Sequence, residues 1–470
     1  MATERMSPLD ASFLHIEDHV SHMHIGSVSV FEGPPPGYDQ FVAMVRAKLD
    51  LTPRFRQVVR FVPFQLGRPV WVDDPHFHLE YHIRHTALPP PGDDEDLRRL
   101  VGRVMSQQLD RGKPLWELWM VEGLEGGRWA LVSKTHHAIV DGVSGTDLFS
   151  ALLDADPDAA TGAPRPWRPG VAPTPERLAA EALFEMAWSP LEQLRALSAA
   201  VRWPRQAAED TADVLRGVWA YLGVARPTPR CSLNGPLGPH RRWAHAEVGV
   251  EDVKRVRKAL GGTFNDVVLT MITGGLRTLL TSRGEDVDRP VRTFVPVSVR
   301  PRDERGRAVG DGTFENKVSG IVADLPVGLA DPAAQLEVLS RQMAGLKESK
   351  EALAGEALTG LSGYAPPLLL ALGARLGTAM AQRNINTLTT NVPGPQIPLY
   401  AAGRRMLRSY PFVPLGAQMR LTIAIFSYDG AVTFGVTGDY DAAPDIEVLT
   451  HGIEVAMHEL VKVAEERTAA

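Results

Sequence analysis

Twice along this 470-residue chain, short β-branched runs alternate with stretches of helical period, and a Pro-, Ala- and Gly-rich stretch at Asp156–Pro175 separates the two blocks. Strands interleaved with helices specify layered α/β domains, which leaves few architectures open. In the first block Ile25–Phe31 is an apolar run that stops at Glu32-Gly33-Pro34-Pro35-Pro36, a strand and its turn. Asp39–Leu51 follows with helical spacing. Val70–Val72 and His78–His85 read as strands, Glu95–Leu109 as a helix, and Trp116–Val121 and Trp129–Lys134 as strands. Glu176–Val224 is helical and Ala-rich and carries Trp188, Trp203 and Trp219. The second block holds a helix from about Asn265 to Arg283, strands at Val291–Val299, Leu421–Phe426 and Val432–Thr437, and a closing helix at Ile446–Glu465. The expected fold class is α/β: two domains, each a mixed sheet with flanking helices, joined by a helical crossover. In residues the expected division is 1–160, 161–235 and 236–470. A single core rarely grows beyond roughly 250–300 residues, which points the same way.

Charge and cysteine content exclude several function classes. Fifty basic against 56 acidic residues give a net charge of −6. No nucleic-acid partner is expected, because such proteins present a basic face. A single cysteine, Cys231, excludes an internal disulfide framework and a multi-cysteine zinc site, and permits a reducing compartment. Met1–Leu14 lacks the basic-then-apolar pattern of an export signal, and no run reaches the roughly 18–20 apolar residues of a membrane span. A cytoplasmic globule is expected, one that meets any membrane from the side.

Chemistry concentrates in His136-His137-Ala138-Ile139-Val140-Asp141-Gly142, delivered by the strand Trp129–Lys134 and followed by a helical stretch from Gly145. His137 and Asp141 are four residues apart, and Gly142 and Gly145 permit the tight turn that would bring them together. A neutral imidazole can take a proton from a hydroxyl and return it to a leaving group. No Gly-x-Ser-x-Gly elbow exists, since Gly142-Val143-Ser144-Gly145 has the wrong spacing. Two histidine-rich stretches, His15/His19/His22/His24 and His76/His78/His82/His85, lack carboxylate partners at zinc-ligand spacing, and no metal is expected.

The heptapeptide His136–Gly142 matches the HHxxxDG signature of the CoA-dependent acyltransferase superfamily, which includes chloramphenicol acetyltransferases, plant alcohol acyltransferases and condensation domains. Further segments resemble the bacterial wax ester synthase/acyl-CoA:diacylglycerol acyltransferases. They are Met6–Phe13, His22–Gly26, Pro114-Leu115-Trp116, Asn265–Leu269, Val295–Arg300, Asn391–Pro395 and Phe426–Gly430, in the family's order from about Met6 to Val463. The resemblance implies two chloramphenicol-acetyltransferase-like domains. It implies an O-acyltransferase that moves a long-chain acyl group from acyl-CoA to diacylglycerol or a long-chain alcohol. Acyl-CoA is then a substrate and no cofactor is needed. By motif position His137 is the general base, with His136 and Asp141 architectural or orienting. A thioester is already activated, so direct transfer without an acyl-enzyme is expected. The alternatives are another hydroxyl acceptor, a carrier-bound donor, or a silent lipid-binding protein.

Supporting residues follow from the same chemistry. A tetrahedral oxyanion needs donors. Asn265, at a helix start, is one candidate or else the helix N-cap; Thr390, where many relatives have Ser, is another. Arg300 would pair Asp141, or else begins the loop Arg300–Arg307. For the CoA phosphates the candidates are Arg302, Arg305 and Arg307, or Arg404 and Arg405. Leu115, Trp116 and Met271 line an acyl channel or belong to the core. Gly274-Gly275, costly inside a helix, marks close approach of another backbone or of an acyl chain. The Trp-bearing crossover either packs between domains or lies on an inner-membrane or lipid-droplet surface.

Overall fold

The computed structural model describes residues 4–139, 152–160, 162–184, 231–298, 318–348, 384–416 and 418–469. The first half contributes strands β1 (Glu4–Arg5), β2 (His24–Phe31), β3 (Gln57–Arg60), β4 (Val70–Asp73), β5 (Ile83–Ala87), β6 (Trp116–Glu122) and β7 (Trp129–His136). Its main helices are α1 (Pro8–Ile16), α2 (Tyr38–Lys48) and α3 (Asp94–Met105). The second half contributes β8 (Arg241–Gly249), β9 (Val291–Ser298), β10 (Val318–Leu325), β11 (Thr387–Pro393), β12 (Tyr400–Ala401), β13 (Arg404–Phe412), β14 (Leu421–Tyr428) and β15 (Ala431–Asp439). Its helices are α4 (Val250–Leu260), α5 (Phe264–Ser282), α6 (Pro332–Glu348) and α7 (Ile446–Ala469).

Two six-stranded sheets result, in the orders β12-β13-β2-β7-β6-β5 and β10-β9-β11-β14-β15-β8. Both are mixed: β5 runs parallel to β6, and β11 runs parallel to β9 and β14, while the remaining pairs are antiparallel. Seven of the eight residues of β7 are buried, as a central strand covered on both faces requires. The α/β class with two mixed sheets and flanking helices is the one read from the sequence. One local expectation changes: His78–His85 is not a single strand, because Leu79–His82 forms a short helix before β5 begins.

The two halves of the chain interpenetrate. β13, which follows β11 in the chain, leaves the second sheet and pairs antiparallel with β2 from Phe31↔Met406 to Gly26↔Phe412. The first sheet therefore contains two strands from residues 236–470, β13 and the short β12 at its edge. Polar contacts reinforce this exchange. Thr433 Oγ1 donates to Ser409 O at 2.6 Å, and Tyr428 OH donates to Met406 O at 3.0 Å. Across the other seam α3 lies directly on β8. A Cβ at Gly102 would sit 2.7 Å from Arg241 O, so only glycine lets the helix approach that carbonyl. The crossover is described only at its two ends. A helical stretch at 175–184 packs Leu178 and Ala182 against Val58, Val62, Val70 and Val72 of the small sheet β1-β4-β3 and its adjoining loop.

Helices α5 and α7 cover one face of the second sheet and cross at their glycines. A Cβ at Gly274 would meet Ala456 Cβ at 2.6 Å, and one at Gly275 would meet Leu449 O and Ile453 Cγ1, each at 2.8 Å. Of the two explanations open in the sequence, the close neighbour is a helix backbone. Met271 is likewise 0 % exposed inside that core. Gly275→Ala is expected to lower stability by about 1–3 kcal/mol, because a backbone carbonyl cannot swing aside as a side chain can. Urea unfolding checks this, and an unchanged midpoint would contradict the packing account.

Candidate active site

β7 ends at His136, and the chain turns immediately into a single 3₁₀ turn, His137–Ile139. Two backbone bonds fix that turn from outside. His136 N–H donates to Leu115 O at 2.9 Å, and His137 N–H donates to Met23 O at 2.8 Å. The first comes from the Pro114-Leu115-Trp116 segment, the second from the segment just before β2. The sequence motifs on either side of the histidines are thus the walls that hold them.

The two histidines have opposite environments. His136 and Glu17 side chains are each 1 % exposed, so no bulk water competes for their bond. His136 Nε2 donates to Glu17 Oε2. His136 Nδ1 accepts the Ala138 N–H at 3.0 Å. One ring nitrogen must therefore carry the proton and the other must lack it, which selects the neutral Nε2–H tautomer. Burial alone would raise the Glu17 carboxyl. The hydrogen bonds from His136 and Gln108, with the Arg111 guanidinium 3.6 Å away, outweigh it and hold the group at about 2.

His137 is half-buried as a residue, its ring stacked on Phe13 with centroids 4.0 Å apart and planes 24° apart. Its Nδ1 is buried and has no hydrogen-bond partner among the described residues. Burial pushes this imidazole down to about 4. At neutral pH the ring is uncharged and has a nitrogen lone pair to accept a proton. Around the pair, His24 stands opposite His136 across β2 and β7, with rings 6.3 Å apart and edge-on, and His22 lies 5.3 Å from His24. Lys134, buried two residues before His136, donates to the carbonyls of Val104 and Gln107 at the C-terminal end of α3, and burial lowers it to about 8. Its charge meets helix-end carbonyls rather than the site.

The other predicted residues fall in several places. Asp141, Gly142 and Arg300 lie outside the described residues, as do Arg302, Arg305 and Arg307. Asn265 is not the helix cap. α5 starts at Phe264, and Thr263 caps it in a reciprocal box with Asp266. Freed from that duty, Asn265 Oδ1 accepts from Asn391 Nδ2 at 3.2 Å, so the Asn-Asp and Asn-x-Pro motifs meet. Thr390 follows Thr389, whose hydroxyl bonds Thr293 inside the sheet at 2.8 Å. Strand alternation turns Thr390 to the face opposite Thr389 and Asn391. Neighbouring Val392, on the same face as Thr390, packs against the core of the first half.

Trp116 is 1 % exposed, stacked between Phe55 (4.4 Å) and His82 (4.5 Å), with Nε1–H donating to Phe55 O at 2.8 Å. Leu115 is 0 % exposed in the same cluster. Both side chains anchor the start of β6 in the core, and what this motif presents to His136 is the Leu115 carbonyl. Arg405 pairs with Asp429 at 3.0 Å, and Arg404 bonds the carbonyls of Pro34 and Ala402, so each has a structural partner.

Sequence reasoning missed Glu17, Phe13 and Gln108. Phe13 and Glu17 carried a usable signal: they are four residues apart on and just beyond α1, hence on one face. Nothing local says which histidine that face meets.

Comparison with known proteins places this geometry in context. The model of the wax ester synthase/diacylglycerol acyltransferase catalytic domain matches residues 6–268, and that of the WS/DGAT C-terminal domain matches residues 314–461. The chain is 34 % identical over 472 residues to the probable diacylglycerol O-acyltransferase tgs1 of Mycobacterium tuberculosis, covering 98 % of this chain and 96 % of that protein. It is 32 % identical over 465 residues to tgs2 of the same organism, covering 97 % and 98 %. Among solved structures, the wax ester synthase/diacylglycerol acyltransferase from Marinobacter aquaeolei VT8 matches with a TM-score of 0.67 and 26 % identity, covering 98 % of this chain and 100 % of that one. The first condensation domain of the CDA synthetase shares the fold at 17 % identity and a TM-score of 0.57, covering 98 % and 96 %.

Proposed function

Because the chain belongs to the wax ester synthase/diacylglycerol acyltransferase family, we propose that it transfers a long-chain acyl group from acyl-CoA directly to the hydroxyl of a diacylglycerol or a long-chain alcohol. The product is a triacylglycerol or a wax ester. The observation that carries this reading is the state of His137: pinned at its own N–H, stacked on Phe13, and neutral at pH 7.

In the proposed reaction His137 removes the acceptor hydroxyl proton as the oxygen attacks the thioester carbon. The C–S bond then breaks, and the imidazolium returns the proton to the CoA thiolate. Negative charge that develops on the carbonyl oxygen raises the proton affinity of the nearby imidazole, so a base with a low resting value still serves. Asn265, steadied by Asn391, and Thr390 are the proposed oxyanion donors or supports. Asp141, Gly142 and Arg300 keep the orienting roles their motif positions imply. Each buried acyl CH₂ contributes about 0.8 kcal/mol, so a long chain supplies binding energy without many polar contacts. No helix among the described residues is long and apolar enough to cross a membrane. Insoluble substrates are then met at a membrane or lipid-droplet surface, and the crossover, 161–235, is the proposed contact.

The test combines the purified protein with palmitoyl-CoA and either hexadecanol or a diacylglycerol, follows free thiol, and identifies the lipid by mass. Thiol release that requires acceptor, with triacylglycerol or wax ester formed, is the expected result. The product ratio assigns the preferred acceptor. Absence of release with both acceptors would overturn the assignment of substrates.

A further inference from the structure

The neutral tautomer of His136 has a consequence for the base beside it. The Ala138 N–H that His136 Nδ1 accepts belongs to the residue after His137. Were Nδ1 protonated instead, that N–H would face a second donor, and the turn that carries His137 would lose its internal tie. What keeps the proton on Nε2 is an acceptor on that side, and Glu17 is the acceptor. Glu17 N–H in turn donates to Phe13 O at 3.1 Å as the C-cap of α1. Phe13 is the ring stacked on His137. One helical turn therefore reaches both histidines, Phe13 against the face of the base and Glu17 against the far nitrogen of its neighbour.

From this geometry we infer that Glu17 is a positioning residue for acyl transfer: it locks the His136 tautomer, and through the Ala138 N–H that tautomer fixes the turn that aims His137. Gln108 and Arg111 act on the carboxylate from the other oxygen. Gln108 Nε2 donates to Oε1, and Arg111 lies 3.6 Å from it while also bonding Leu14 O at 3.1 Å. Glu17 is thus held at both oxygens and cannot turn away from His136. The arrangement also accounts for a carboxylate that would otherwise be costly to bury. Glu17 itself bonds no group assigned here to substrate, so its effect passes through His136.

The inference rests on the acyl-transfer reading, and two measurements separate the failure of one from that of the other. In Glu17→Ala the tautomer lock is gone. The expected outcome is a fall in kcat on the order of 10-fold to 10²-fold, the scale set by a misplaced catalytic group, with KM for palmitoyl-CoA within about twofold of wild type. Glu17→Gln retains an oxygen that accepts the His136 Nε2–H and is expected to recover most of the rate. An unchanged kcat in Glu17→Ala, or an equal fall in both variants, would overturn the inference. The second measurement needs no substituted Glu17. Nitrogen-15 spectra of histidine-labelled wild-type protein, with the His136 signals assigned by their loss in His136→Asn, are expected to show a protonated Nε2 and an unprotonated Nδ1. A protonated Nδ1 would overturn the inference even if Glu17→Ala does not fold. Wild-type protein that transfers no acyl group but shows the expected tautomer would sink the substrate assignment and leave the positioning geometry standing.

Discussion

Replacing His137 with alanine is expected to lower acceptor-dependent thiol release from palmitoyl-CoA by about 10²–10⁴-fold, the usual worth of a positioned general base. Its effect on stability is expected to be small at pH 7. The residue is only half-buried, no partner among the described residues loses a hydrogen bond at Nδ1, and the main-chain bond to Met23 O survives the substitution. The urea midpoint of the variant at pH 7 should therefore stay close to that of wild type while the rate collapses. Thiol release within a few-fold of wild type would contradict the role given to His137. A lost midpoint would mean that the residue holds the turn instead of serving as base.

Acid is expected to unfold this protein over a narrow range, because several histidines are buried uncharged. Burial pushes His82 and His137 down to about 4, and burial with Lys134 nearby holds His24 well below its usual value. In the unfolded chain each would take up a proton near pH 6.5, whereas in the folded state His82 and His137 resist protonation until about pH 4 and His24 resists it well below its usual value. The unfolded state thus binds more protons across that interval, and stability falls as pH drops through it. The two groups held near 4 lower stability by about 4 kcal/mol between pH 7 and pH 5, with His24 adding in the same direction, a sizeable fraction of the 5–15 kcal/mol typical of a folded domain. Glu17 acts in the same direction at lower pH: held at about 2, it contributes stability that is present above its usual 4.5 and lost as pH falls toward 2. Urea midpoints at pH 7, 6 and 5 check the histidine part. A midpoint independent of pH over that range would mean that the three rings are solvated or charged in the folded state.

Particular residues show where a linear reading succeeds. β6 and β7 are rich in aromatic and aliphatic residues and are separated by Gly123, Gly126 and Gly127, and such a strand–turn–strand pattern declares itself locally. The pair His136-His137 is legible because both residues are contiguous in sequence and chemically distinctive. Exchange of β13 into the first sheet is different. Arg404–Phe412 alternates like any strand, and nothing in it names β2 as its neighbour, which lies more than 370 residues away. Glu17 is hidden for the same reason, since an isolated glutamate after a helix is ordinarily solvated. The cap of α5 was legible after all: Thr263 and Asp266 stand at capping-box spacing, and that would have released Asn265 from the helix end. The segment Leu79–His82 was misread because a four-residue helix has too few residues to show a period.

The central claim is direct transfer under His137, with no acyl group resting on the protein. Intact-protein mass spectrometry tests it most directly. The purified protein is mixed with palmitoyl-CoA alone, sampled for mass and for free thiol, and then given acceptor. The account predicts an unmodified mass and negligible thiol before acceptor is added, followed by thiol release and ester formation once it is present. A protein heavier by one palmitoyl group, formed with a burst of thiol before any acceptor, would contradict it.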